Sequence, residues 1–134
     1  MNYWIFQSVV DRYDLRDDEI VEIGKSDTWY ATRYKSKMKK GDRVYFWLGG
    51  IGNNRGIYAA GMLNSDCYQK PEWKSSGIDV IYTAKLNKPI VISEIVINPL
   101  LKDLLILKAA QATNFLIEEG QAEEIERLIK VRGE

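Results

Sequence analysis

One short segment, Arg43-Val44-Tyr45-Phe46-Trp47-Leu48, constrains the fold more than any other part of this chain. Side chains alternate across a strand, so Val44, Phe46 and Leu48 share one face while Tyr45 and Trp47 share the other. Neither face is polar. A strand that is apolar on both faces has to be covered on both, as in a small barrel with helices packed outside it. Gly41-Asp42 supplies the turn that launches it, and Gly49-Gly50-Ile51-Gly52-Asn53-Asn54-Arg55-Gly56 follows, rich in residues that tolerate positive φ. The next run, Ile57 to Leu63, carries Ala59, Ala60 and Gly61, small enough for close backbone approach. The two runs are expected to pair as a hairpin.

The rest of the chain supplies the other parts of such a domain. Tyr3-Trp4-Ile5-Phe6-Gln7 reads as a first strand, buried on both sides. Leu15 to Gly24 sets apolar residues among acids and suggests a short helix closed by Gly24. Asn64 to Ser76 is polar and irregular, with Trp73 as a surface or lid residue. Ile78 to Leu86 alternates as a strand, and Pro89 precedes another candidate strand, Ile90 to Ile97. Pro99 opens a helix-like run, Leu100 to Ala110. Ala122, Ile125, Leu128 and Ile129 fall at helical spacing within Gln121 to Arg132, which reads as an amphipathic helix packed on the barrel. The expectation is one compact α+β domain spanning residues 1–134.

The composition excludes more chemistry than any motif suggests. The chain has no histidine and one cysteine, Cys67. Catalytic triads, Cys–His dyads and the common zinc and iron sites all require an imidazole, and one thiol builds neither a disulfide nor a metal cage. No phosphate-binding loop or dinucleotide fingerprint is present. Asp17, Asp18 and Glu19 read as a solvated charge run rather than paired catalytic carboxylates. The domain is therefore expected not to be an enzyme and to need no cofactor or metal. No apolar run approaches the ~20 residues of a membrane span, and no secretory signal is visible. A monomeric, cytoplasmic protein is expected, with no membrane partner.

Charge and aromatics then point to a surface. Net charge is +0, yet Arg33, Lys35, Lys37, Lys39 and Lys40 cluster between two acid-rich stretches. Such a patch attracts a polyanion locally, so these residues, with Arg55 in the glycine loop, are candidates for phosphate contact. Trp29, after Ser26-Asp27-Thr28, reads as a loop residue lining a cavity or capping the core. Trp47 lies just before the glycine loop. Together with Tyr30 and the glycines they suggest a stacking pocket with backbone donors at its rim, suited to a planar base. Trp4 reads as core. Asn114 offers an amide that either reads a base edge or caps a turn.

Tyr3-Trp4, Asp27-Thr28-Trp29, Lys40-Gly41-Asp42-Arg43-Val44-Tyr45-Phe46-Trp47, Gly56-Ile57-Tyr58-Ala59-Ala60-Gly61 and Gln111-Ala112-Thr113-Asn114-Phe115 occur in this order. They resemble the EVE domain, a small member of the PUA-like superfamily related to YTH domains, over nearly the whole chain. The resemblance implies a PUA-like mixed β pseudo-barrel of about five to six strands flanked by about two to four helices. It also implies an aromatic pocket for a modified base flipped from DNA or RNA, modified cytosine in some members and methylated adenine in YTH relatives. Carried onto this sequence, it makes Trp29 a pocket wall, with Tyr30 beside it and Trp47, Gly49, Gly50, Thr113 and Asn114 near the mouth. Ala112 stands where related sequences often carry glycine. The reading is a non-catalytic nucleic-acid module; the rivals are an enzyme acting on a nucleotide or small molecule and a protein-interaction module using the acidic C-terminal helix.

Overall fold

The segment that is apolar on both faces lies in the middle of a sheet covered on both sides. The computed structural model describes residues 1–9, 13–17, 19–50, 52–109 and 111–132. The strands are β1 (Tyr3–Val9), β2 (Ser26–Ala31), β3 (Arg43–Gly49), β4 (Gly56–Leu63), β5 (Tyr68–Gln69), β6 (Ser76–Val91) and β7 (Asn114–Ile117). The helices are α1 (Ile92–Ile95) and α2 (Glu119–Val131). Asp11, Arg12 and Asp18 of the acidic run, Ile51 of the glycine loop and Ala110 of the expected helix lie outside the described residues. The strands form one sheet in the order β2-β6-β4-β3-β1-β7, with β5 paired to β6. β3 runs parallel to β1 and antiparallel to β4, which bears out the expected hairpin of Arg43–Leu48 and Ile57–Leu63.

The sheet curls, and its two faces carry two cores. Inside pack Trp4, Phe6, Val44, Phe46, Leu48, Trp29, Val80 and Tyr82. Outside pack Ile5, Tyr45, Trp47, Ile57 and Phe115, covered by Ala122, Ile125 and Ile129 of α2 and by the 92–107 segment. The curl is tight enough that Phe6 of β1 and Trp29 of β2, far apart in strand order, lie with ring centroids 6.3 Å apart. Each such side chain contributes about 1.5–3 kcal/mol by leaving water. Gly61 is required here: a Cβ would overlap the Ile81 carbonyl of β6. This is an α+β pseudo-barrel, as expected.

Its closure rests on one side chain. β2 and β7 are the two sheet edges, and among the described residues no ladder joins them. Asn114, at the start of β7, accepts from the Thr32 amide at 2.8 Å and the Thr32 hydroxyl at 3.2 Å, and donates to the Tyr30 carbonyl at 3.0 Å. A carboxamide thus replaces the missing strand pairing.

Four local expectations fail, each for a physical reason. Residues 15–17 and 19–24 form turns rather than a helix: the Asp14 and Asp17 carboxylates cap single turns at the Arg16 and Glu19 amides, and Gly24 and Lys25 pair with Tyr82 of β6 instead. Trp29 lies in β2, not in a loop. Ile78–Leu86 and Ile90–Ile97 are not two strands: β6 continues through Pro89 to Val91, and Ile92 starts α1. β4 pairs Ala59 with Lys85 and Ile57 with Ile90, so residues 86–89 bulge, and the missing Pro89 donor breaks no ladder. Residues 100–109 of the expected Leu100–Ala110 helix are a chain of turns with a 3-10 segment at Leu105–Leu107. The Asn98 side chain caps a first turn by accepting the Leu100 and Leu101 amides, but Leu104 and Leu107 then bond three residues back, to Leu101 and Leu104, so the turn does not continue as an α-helix. β7 and the short β5 went unseen in the sequence. The final helix forms where its periodicity places it.

Candidate nucleic-acid interface

Strand parity decides which expected pocket residues meet. Trp29 points into the barrel and is only 6% exposed. Its indole N–H donates to the Tyr82 hydroxyl at 2.9 Å, and the Phe46 and Tyr13 rings lie 5.0 Å and 5.5 Å away. The Tyr82 hydroxyl in turn donates to Asp27 at 2.9 Å, and burial holds its pKa above the usual tyrosine range. Trp29 is therefore built into the inner core, with partners on several sides. Tyr30, its neighbour on β2, points outward, is 47% exposed and packs on Trp73. Trp47 faces the outer core, across the sheet from Trp29. The three aromatics expected to share one slot occupy three separate places.

Trp47 nevertheless lines a cleft. It lies with Gln7, Val9, Gly50, Arg55, Ile92, Ile106 and Leu107 around a cavity of 250 Å³ at the C-terminal ends of β1 and β3. Parallel register sets Gln7 beside Trp47. The Gln7 carboxamide donates to the Ala112 carbonyl at 2.7 Å, and its backbone amide donates to the Thr113 carbonyl at 2.8 Å. Gly49 makes room for that side chain, since a Cβ there would overlap the carboxamide. Gly50 turns the chain with φ 106°, and the Arg55 Nε donates to the Gly52 carbonyl at 2.9 Å. Trp47 is 2% exposed, so its indole is packed almost wholly into the outer core, and the cleft it borders presents an amide and a guanidinium among apolar side chains.

The structure thus brings together Trp47, Gly49, Gly50, Thr113 and Arg55, and leaves Trp29 inside. Asn114 borders this end but is 0% exposed, and both lone pairs of its oxygen already accept hydrogen bonds. Nor does it cap a turn for the C-terminal helix, the weighed alternative: its side chain ties β7 to Tyr30 and Thr32 at the end of β2. Gln7, Val9, Ile92, Ile106 and Leu107 were missed as lining residues. Gln7 alone carried a signal, an amide ending an otherwise aromatic strand.

The basic segment lies elsewhere. Arg33, Lys35, Lys37, Lys39 and Lys40 are all exposed. Tyr34, held in a left-handed conformation at φ 57°, packs against Trp4 and carries the Arg33 guanidinium 5.0 Å and the Lys37 ammonium 6.0 Å from its ring centroid. Lys39 and Lys40 border a shallow concavity of 450 Å³ with Met1, Asn2, Gly41 and Asp42. Asp42 shapes this corner: its buried carboxylate accepts from the Asn2 amide, the Trp4 indole and the Lys39 amide. That corner is at the opening of β3, whereas the cleft is at its close. Seven residues of strand at ~3.3 Å each separate them by roughly 20 Å.

Among the described residues, no group of three His, Cys, Asp or Glu is arranged to hold a metal ion, and no helix is long and apolar enough to cross a membrane. Burial pushes the Cys67 thiol up, so it is not an activated thiolate.

A curled mixed sheet with helices on its outer face, a closed inner core and a cleft at one end defines a small α+β pseudo-barrel of the PUA-like kind. The chain belongs to the EVE domain family, whose model matches residues 2–128. No curated protein matches it by sequence. Solved structures match the fold. A hypothetical protein from Leishmania major superposes with TM-score 0.79 at 14% identity, covering 100% of this chain and 98% of that one. A Rhodopseudomonas palustris protein gives TM-score 0.75 at 20% identity, covering 99% and 94%. The human THYN1 protein, solved in complex with DNA containing 5-methylcytosine, gives TM-score 0.72 at 13% identity, covering 100% and 99%.

Proposed function

We propose that this EVE domain is a non-catalytic nucleic-acid-binding module that takes a modified nucleobase into the cleft beside Trp47. The observation that carries the reading is that cleft. The Gln7 amide and the Arg55 guanidinium, with apolar side chains packed around Trp47, surround a cavity of 250 Å³ on a fold shared with a protein solved in complex with 5-methylcytosine DNA. Stacking on an open aromatic ring contributes about 1–3 kcal/mol per base, and Trp47 is only 2% exposed, so amide, guanidinium and apolar contacts have to supply most of the affinity. A methyl group on the base adds buried apolar area worth about 0.8 kcal/mol, close to a fourfold preference. The lysines act at a distance. On one strand of duplex, roughly 20 Å corresponds to about six phosphates at 3.4 Å of axis each, so a backbone leaving the cleft reaches Lys39 and Lys40.

The test compares oligonucleotides that differ in a single modification, 5-methylcytosine against cytosine first, at fixed salt. The expected result is tighter binding of one modified base, and loss of that preference in Arg55→Gln with the salt dependence kept. Lys39→Gln with Lys40→Gln should do the reverse and flatten the salt slope by about one per lost contact. Equal binding of every modified and unmodified oligonucleotide by the wild type refutes the reading.

A further inference from the structure

We infer that Tyr30 and Trp73 form an external stacking platform for an unpaired base of the same nucleic-acid strand, flanking the base held in the cleft; the inference rests on the function proposed above. Trp29 and Ala31 alternate into the barrel, so Tyr30 between them has to point outward. Its ring meets Trp73 at 4.5 Å with planes 44° apart. Trp73 is seated deliberately: a Cβ at Gly77 of β6 would come within 3.2 Å of the indole, a contact that glycine avoids. The Lys70 ammonium stands 4.5 Å from the Trp73 ring centroid. The nearby carboxylates are engaged. Glu72 lies 3.9 Å from Lys70, and Asp79 accepts the Tyr68 and Thr28 hydroxyls at 2.7 Å and 2.9 Å.

Two aromatic rings held in fixed geometry on the surface, with a cation on one of them, suit a base and its phosphate better than an aliphatic partner. Continuity with the cleft selects the occupant. From the cleft residue Gln7 the path runs through the Ala112 and Thr113 carbonyls to Asn114, and from its carboxamide to the Tyr30 carbonyl. That path crosses from β1 to its neighbour β7, one strand spacing of ~4.8 Å, and then by the length of one carboxamide side chain to the end of β2, a step on the scale of a nucleotide linkage or two. A base next in the strand to the one in the cleft therefore arrives at Tyr30.

The protein carries its own reporter. Of its four tryptophans, Trp4, Trp29 and Trp47 are buried, and Trp73 is half-buried, with part of its ring in solvent. The experiment titrates the protein with a duplex bearing one 5-methylcytosine, with and without an adjoining tract of unpaired thymidines, and with the unmethylated versions of both. The tract is expected to raise affinity roughly tenfold and to quench and shield Trp73 fluorescence from acrylamide. Tyr30→Ala with Trp73→Ala should remove the increment but keep the preference for the methylated duplex. If the wild type prefers the methylated duplex yet Trp73 stays as open to acrylamide with the tract bound, the platform is refuted and the cleft reading stands. An affinity increment that survives in the double variant refutes it equally. A wild type indifferent to methylation refutes the cleft reading, and with it this one.

Discussion

Replacing Asn114 by alanine tests how this barrel is closed. The side chain is fully buried and bridges the two sheet edges through the Thr32 amide, the Thr32 hydroxyl and the Tyr30 carbonyl. Alanine leaves a backbone donor and a backbone acceptor without partners in a partly buried seam. An intact hydrogen bond contributes about 0.5–1.5 kcal/mol net, and an orphaned buried group costs about 1–3 kcal/mol. Partial access of water to the seam places the sum at about 2–4 kcal/mol. For a domain of this size each kcal/mol lowers Tm by about 3–4 °C, so a fall of about 6–16 °C is expected in a thermal melt followed by circular dichroism. Hydrogen exchange should show the loss at the β2 amides first, because β2 is the strand that comes free. Asn114→Asp sharpens the test. A carboxylate keeps an acceptor for Thr32 but sets negative charge against the Tyr30 carbonyl, whereas the protonated acid donates to it. Its folded-state pKa is then raised above the ordinary value of about 3.9, so the rescue is present below that value and lost as pH rises through the folded one. An alanine variant within about 0.5 kcal/mol of wild type, in urea as well as heat, would show that the edges close without the rivet.

Further outcomes follow from the same geometry. Trp29→Ala should cost about 3–5 kcal/mol of stability, the full penalty for a buried aromatic, read from the unfolding midpoint. Trp29→Phe keeps the ring and loses the bond to Tyr82, so about 1 kcal/mol is expected. The Arg127 guanidinium and the Asn98 amide hold the Glu124 carboxyl below its ordinary 4.5. Its contribution is therefore present above that value and lost as pH falls through the lower folded one, so the Tm gap between wild type and Glu124→Gln should be widest near neutrality and close in acid. Burial raises the Tyr45 and Tyr82 pKa values from 10.0, so both stay neutral in the fold and their contribution is present below that value. Wild type should lose stability as pH rises beyond it, and Tyr82→Phe should show a shallower decline from a lower starting point in a pH series of melts.

How much of this fold could be read from the sequence depended on which physical signal each element carries. β3 and β4 were legible because a run apolar on both faces beside a glycine loop has few other solutions. α2 was legible from its 3.6-residue period. β2 was not: Ser26 to Ala31 carries a polar residue at each of its first three positions, and only Trp29 and Ala31 mark its buried side. Its alternation is real but short, and the surrounding charge masks it. The turns at 15–17, 19–24 and 98–107 failed for another reason. Their apolar spacing is compatible with a helix, but the turns capped by Asp14, Asp17 and Asn98 do not continue: Gly24 and Lys25 pair with Tyr82 of β6, and Leu104 and Leu107 bond three residues back, which periodicity does not register. Pro89 was read as a break because proline normally ends a strand, and only the pairing partner across the sheet reveals the bulge that accommodates it.

The site was scrambled by the same property that made the fold readable. Composition marks the aromatics of a small barrel without saying which face each one takes, and faces change at every residue. Trp29 and Tyr30 are adjacent in sequence, yet one ring is locked to Tyr82 inside the barrel and the other lies against Trp73 outside it. Trp47 belongs to a third surface because its strand runs beside β1, which brings Gln7 rather than Trp29 to its side. That pairing is parallel and joins residues 40 positions apart, so no local pattern announces it. What survives from the sequence is the glycine loop with Trp47 and Arg55, where a turn holds neighbours in sequence together in space. A binding end built this way has its specificity groups on the loop and strand ends, and its stability in the inner core that Trp29 anchors. Substitution of Arg55 should therefore alter recognition with little change in Tm, and substitutions at Trp29 the reverse. A Trp29 variant that melts normally but no longer binds would break that division and return the inner aromatics to the site.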